Sequence, residues 1–275
     1  MNRVATQLQQ IGSAAADLIR RIPLQNRPPL PPDWLRVEMV ERLAVLQRAR
    51  IAPGATVVEI GSGPHAISTV PLAFVVGARG RVIAVERSRW GHFREIVAAS
   101  GLAGSVRPIA GEARRLPLRA DAADLSVCVH GIRSLGAPAH LVTVLREMLR
   151  ISPRLFLAES LPLARNAAQR AHLEMYDLRH EVFKATSGRS DDLPHLPLET
   201  LVALVEEAGG AVEMSSPLEI DLPDAFAYFP RSLVEEIPDA PTRASLLARW
   251  DEARSKGLRH GTDHPPVGTL TATRR

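Results

Sequence analysis

The feature that most constrains the fold is the segment Val57-Val58-Glu59-Ile60-Gly61-Ser62-Gly63-Pro64-His65-Ala66, in which an apolar strand-like run breaks into two glycines and then opens a helix. Glycine lets a backbone adopt left-handed conformations and approach a ligand closely, and free N–H groups at a helix start favour an anionic or carboxylate group. A strand, a glycine turn and a helix in that order define the first unit of an α/β domain.

The rhythm that follows is consistent with this. From Pro53 onward, short apolar runs alternate with helical stretches: Thr56 to Ile60, Val82 to Val85, Val106 to Ile109, Leu125 to Val129 and Arg154 to Ala158. Each run is followed by turn residues and then helical spacing, which predicts a parallel sheet with helices on both faces. Two further strands, Ala211 to Ile220 and Pro266 to Thr273, bring the expected total to seven, after helices over Arg165 to Ala185 and Leu198 to Ala208.

Residues 1–50 read as an N-terminal helical extension and 51–275 as the main domain, with a helical cap over about 223–258. Within the extension, residues 3–21 have amphipathic helical spacing, Pro28, Pro29, Pro31 and Pro32 form a stiff joint, and Trp34 to Arg48 repeats apolar positions as a helix does.

At 275 residues the chain is long enough to bury a substantial core. No early run resembles a signal peptide or approaches membrane-spanning length, so neither export nor insertion is expected. The single cysteine, Cys128, sits inside an apolar run and excludes an intramolecular disulfide, which fits a reducing, cytoplasmic setting. Net charge is +4, but the arginines are dispersed and often lie beside acids, so the electrostatic case for nucleic acid is weak.

Taken alone, Gly-x-Gly-x-x-Ala also fits a dinucleotide fingerprint, with Glu86 about where such a fingerprint places its ribose-binding acid, and a hydride-transfer enzyme stays open on that pattern. Further residues bear on the choice. Glu59 lies two residues before the first glycine, Pro64 follows the second, and Gly111-Glu112-Ala113, with Leu116-Pro117 close behind, follows the third strand; Asp121 and Asp124 lead into the fourth.

In these pieces and their order, residues 50 to 220 resemble the class I S-adenosylmethionine-dependent methyltransferases, and more loosely the ubiquinone and menaquinone biosynthesis type. The resemblance implies a Rossmann-like, doubly wound, mostly parallel sheet and S-adenosylmethionine (SAM) as cofactor. Gly61, Ser62 and Gly63 would pass beneath its methionine part, Glu59 would orient its amino group, and Glu86 would accept both ribose hydroxyls. Arg87 would flank the adenine, with Glu112 and Ala113 beside its amino group. Where many members carry a third glycine this chain has His65, whose side chain would either line the cofactor pocket or face solvent, a structural role being the favoured reading.

Ligands in such sheets gather beyond the carboxyl ends of the strands. That places His130, Gly131, Arg133 and Ser134, and Glu159 and Ser160, around the transferred methyl. His130 and Arg133 are the catalytic candidates, and His130 is also a candidate for backbone contact with the cofactor. The fourth strand continues as His130-Gly131-Ile132-Arg133 rather than an Asn/Asp-Pro-Pro-Tyr/Phe tetrad, which argues against methylation of exocyclic base amines in DNA.

In the helix after the fifth strand, Ala171, Met175, Leu178 and Val182 make a core stripe, while Gln169, His172, Tyr176, His180 and Phe183 share a neighbouring face. Glu159, His172 and Tyr176 are therefore the substrate-pocket candidates, against the plainer reading of a solvated helix edge. Phe226, Tyr228, Phe229 and Trp250 concentrate aromatics in the cap, where an acceptor pocket and simple packing explain them equally well. No metal-ligating set is assigned. The expected function is methyl transfer to a small or medium-sized organic acceptor; an RNA or protein acceptor, or a SAM-binding protein without catalysis, are the alternatives.

Overall fold

The structure is a computed structural model that describes residues 34–87, 90–136, 138–187, 194–220 and 229–275. The segment 3–21, the proline cluster, Phe226 and Tyr228 lie outside the described residues.

The elements run α1 (Trp34–Leu46), β1 (Thr56–Ile60), α2 (Thr69–Val76), β2 (Arg81–Glu86), α3 (Phe93–Ala99), β3 (Val106–Ala110), β4 (Leu125–Val129) and α4 (Pro138–Ile151). They continue with β5 (Arg154–Ser160), α5 (Ala167–Ser187), α6 (Leu198–Glu207), β6 (Gly210–Leu218), α7 (Ser232–Glu235), α8 (Ala240–His260) and β7 (Val267–Arg274). All seven strands join one sheet in the order β3-β2-β1-β4-β5-β7-β6. The first five are parallel, and β7 runs antiparallel to both β5 and β6.

Side chains alternate across each strand and fill two cores. Val58 and Ile60 face α4 and α6, packing with Leu141, Leu145, Met148 and Val205, while Val57, Leu125, Val127 and Phe156 face Leu72, Ala73 and the end of α1. Because both faces are covered, β4 is buried along its whole length, which is why its sequence is an apolar run without alternation. At the edge strand β6 half-buried and exposed positions alternate from Val212 onward.

Strand order reverses between β1 and β4: β1 continues through β2 to β3, whereas β4 continues to β5 on the other side. That reversal opens a crevice at the carboxyl ends of β1 and β4, the place where open α/β sheets bind ligands.

Two local features depart from the sequence reading. The glycine loop does not open directly into a helix: α2 begins at Thr69, after turns at 64–65 and 67–68 and a left-handed Ala66 with φ 51°. α2 starts where the chain enters the core, with Thr69, Val70, Pro71, Leu72 and Ala73 all buried. The cap also differs. α8 and α7 pack on α5 through Met175, Leu178, Val182, Phe229, Val234, Ile237 and Leu246, so α5 is as much part of it as the insertion. Phe229 is fully buried and its carbonyl accepts from Trp250 Nε1 at 3.0 Å, which places both aromatics in cap packing rather than at a pocket.

Candidate active site

The carboxyl end of β1 supplies the glycine loop. Gly61 and Gly63 have φ of 75° and 66°, values that a side chain rarely tolerates, and a Cβ built on Gly63 meets nothing within 4 Å. Gly61 N and Ser62 N both donate to the carbonyl of Val85, at 2.9 and 3.3 Å, and tie the loop to β2. Ser62 Oγ is buried without a hydrogen-bond partner among the described residues, an orphaned donor in the loop itself.

Three carboxylates surround the loop. Glu86, at the end of β2, accepts from Gly63 N at 3.3 Å and from Arg87 N at 2.9 Å, so the acid is positioned by the backbone on either side of it. Glu112 follows β3, lies 3.8 Å from the exposed Arg87 guanidinium and accepts from Arg114 Nε at 3.4 Å, with Ala113 buried beside it. Glu59 is buried in β1 and accepts from Thr69 Oγ1 at 2.5 Å; burial raises its pKa to about 7, against the lowering effect of Thr69. Glu59, Gly61, Ser62, Gly63, Glu86, Arg87, Glu112 and Ala113 thus converge on one end of β1, β2 and β3. Asp121 and Asp124 do not: Asp124 accepts from Thr56 N at the opposite end of β1, and Asp121 pairs with Arg274.

Beyond β4 and β5 a second, continuous network forms. His130 has φ 50° and places Nε2 2.9 Å from Oε1 of Glu41, a buried acid of α1, with Nδ1 3.3 Å from Ser160 Oγ. Burial, with Arg42 nearby, lowers the His130 pKa, against the raising effect of Glu159. Nε2 thus faces the Glu41 carboxylate, while Nδ1 lies within reach of both Ser160 Oγ and Glu159 Oε1, the latter at 3.6 Å. Both nitrogens are then engaged, which makes His130 a link between α1, β4 and β5.

Glu159, buried at the end of β5, accepts from Arg133 Nε at 3.3 Å through Oε1, while its Oε2 has no partner among the described residues. Burial alone would raise its pKa, yet His130 and Arg133 hold it below the ordinary value.

A ladder of rings continues from there. His264 lies edge-on to His130 at 6.5 Å and to His172 at 5.0 Å; Tyr176 tilts against His172 at 5.0 Å and meets His195 edge-on at 5.5 Å. His195 Nδ1 is 3.0 Å from the carbonyl of Ser160, so Nδ1 carries the proton, and burial with Arg133 nearby lowers its pKa to about 4. His172 Nδ1 bonds the carbonyl of Thr262 at 3.0 Å.

This ladder borders a cavity of about 420 Å³ lined by Arg133, Tyr176, Arg179, His180, Phe183 and His195 among others. Of the substrate-pocket candidates, Tyr176 lines the cavity, while Glu159 and His172 lie behind it. Glu41, Arg179, His195 and His264 join the region without a local sequence signal, because they come from four separate elements and only the fold brings them together. His65 stacks on His92 with ring centroids 5.9 Å apart, a packing role at the rim of the loop.

No protein-family model matches the chain, and no curated protein matches it in sequence. Solved structures do match in fold. A cyclopropane-fatty-acyl-phospholipid synthase-like protein from Lactobacillus casei is 14% identical with a TM-score of 0.72, over 95% of this chain and 99% of that one. A SAM-dependent methyltransferase from Aquifex aeolicus is 15% identical with a TM-score of 0.52, over 89% and 94%. The cyclase SpnF is 14% identical with a TM-score of 0.54, over 98% and 94%. The chain therefore has the class I, Rossmann-like fold of the SAM-dependent methyltransferases. The cyclase in that set is a reminder that the fold alone does not fix the reaction.

Proposed function

We propose that the protein binds SAM at the glycine loop and transfers its methyl group to a small or medium-sized organic acceptor seated in the cavity under α5. The observation that carries this reading is the loop itself: two left-handed glycines, the orphaned Ser62 Oγ and the backbone-positioned Glu86 carboxylate converge on one crevice. A dinucleotide site would use the same glycines, but the buried acid two residues ahead of them and the acid after β3 match the methyltransferase pattern better.

In this reading Gly61 and Gly63 give the methionine portion close backbone approach, and Glu59 faces its ammonium. Glu86 accepts two hydroxyls with one carboxylate, a charge-assisted pairing that orients the ribose as well as binding it. Glu112 and the Ala113 backbone border the adenine, and Arg87 flanks it. Bound there, SAM would supply an electrophilic methyl carbon on a sulfonium. In-line displacement asks the protein for alignment and a dry pocket more than for acid–base chemistry.

Arg133, held by Glu159 at the end of β5, borders the acceptor cavity and fixes its inner wall. His130 acts as a positioning residue, because both its nitrogens are spent on Glu41 and Ser160. His195 presents a neutral ring to the cavity with Nδ1–H spent on Ser160, which leaves Nε2 as a lone pair for an acceptor O–H or N–H.

The test is incubation with SAM and a panel of small carboxylates, phenols and amines, with S-adenosylhomocysteine release as the readout. Acceptor-dependent release is expected; a protein that binds SAM and releases nothing across the panel would instead be a binding protein without turnover.

A further inference from the structure

The cavity under α5 holds a guanidinium that no carboxylate among the described residues pairs with. Its charged lining consists of Arg133, Asp177, Arg179 and Glu181. Arg133 is bonded to Glu159. Glu181 is held bidentately by Arg249, at 2.5 and 2.8 Å, on the cap side. Asp177 has its pKa raised by burial and by the neighbouring Glu181.

Arg179 stands apart. Its Nε is buried without a hydrogen-bond partner, and among the described residues no carboxylate pairs with it. Its guanidinium carbon sits 5.3 Å from the centroid of the Phe183 ring, a cation–π contact that orients the planar group without using its N–H donors. A guanidinium offers a rigid fork of donors that matches a carboxylate bidentately, and a buried donor left unpaired is costly unless a ligand supplies the acceptor. Phe183, 44% exposed, adds an apolar surface next to that fork, and Tyr176 adds a second ring.

We propose that the acceptor is a carboxylate with a compact apolar or aromatic body, its carboxylate on Arg179 and its body against Phe183 and Tyr176. The inference rests on the methyl-transfer reading above, which it narrows to one acceptor class. The cavity volume, about 420 Å³, is within the range of small-molecule sites.

The test is calorimetric titration of the full chain with benzoate, phenylacetate and hexanoate, each against its amide, with and without saturating S-adenosylhomocysteine. At least one carboxylate is expected to bind roughly ten-fold or more tightly than its amide, as loss of a charge-assisted pair predicts. Arg179→Gln should erase that preference and Arg179→Lys, which keeps the charge but not the fork, should keep only part of it, with thermal midpoints confirming that both variants fold. Amides that bind as well as the acids, a preference that survives Arg179→Gln, or no carboxylate binding at all would each overturn the proposal. Failure of S-adenosylhomocysteine to bind would count against the methyl-transfer reading, and the carboxylate titrations without it would still decide the acceptor class.

Discussion

Glu41 of α1 and His130 at the end of β4 meet at 2.9 Å although 89 positions separate them, the acid fully buried and the ring largely so. The contact pins α1 over the crevice between β1 and β4. It also orients the His130 ring, which through Ser160 reaches the end of β5.

Breaking that contact should be expensive. Glu41→Ala leaves the largely buried His130 ring without its carboxylate and takes from Arg42 one of its two acid partners, the other being Glu38, and should cost about 3 kcal/mol in urea unfolding. His130→Ala should cost a comparable amount, and the double variant much less than the two added together. Additive losses would mean that the two side chains are neighbours without being coupled.

The ribose acid is separable from the fold. Glu86 sits at a strand end, partly exposed, and accepts from backbone N–H groups that water can also satisfy. Glu86→Ala is expected to weaken SAM binding by about ten- to a hundred-fold while leaving the urea midpoint nearly unchanged. Unchanged affinity would remove the ribose site from Glu86.

Glu59 predicts a pH dependence. Its pKa is raised by burial from 4.5 to about 7 in the folded chain, so the folded state holds this proton more tightly than the unfolded state does. The stability of the free protein should therefore fall as pH rises from about 4.5 to about 7 and level off above, by an amount on the order of 3 kcal/mol at most. A cationic ammonium beside Glu59 favours its ionised form, so SAM binding at pH 6 should release a proton. Calorimetry in buffers of different ionisation enthalpy measures that release; proton uptake would contradict the placement of the ammonium.

The cap should prove structural where its aromatics are concerned. Phe229 is fully buried among Met175, Leu178 and Leu246, and Phe229→Ala is expected to cost about 3–5 kcal/mol with no change in S-adenosylhomocysteine affinity. Parallel unfolding and binding measurements on this variant check both halves of that expectation.

Much of this architecture can be read from the chain because its signals are local. The boundaries of β1 and β4 match the apolar runs residue for residue, and the stripe Ala171, Met175, Leu178 and Val182 on α5 is buried as its spacing requires. β7 reads less clearly, since its buried run contains Thr269 and Thr271, which a strand paired on both sides can bury. The helix after the glycine loop begins later than its motif suggests, because the turns at 64–68 precede the residues that reach the core. Glu41, Arg179, His195 and His264 carry no motif. The roles of Glu41, His195 and His264 arise from long-range contacts, such as His195 with Ser160 and His264 with His172, that no spacing rule encodes.

The most direct test of the central claim is calorimetric titration of the purified protein with SAM, S-adenosylhomocysteine and NAD in parallel. Saturable binding of the first two, weakened in Glu86→Ala, with no heat from NAD is the predicted result. Binding of NAD alone, or of none of the three, would contradict the assignment of the glycine loop to SAM.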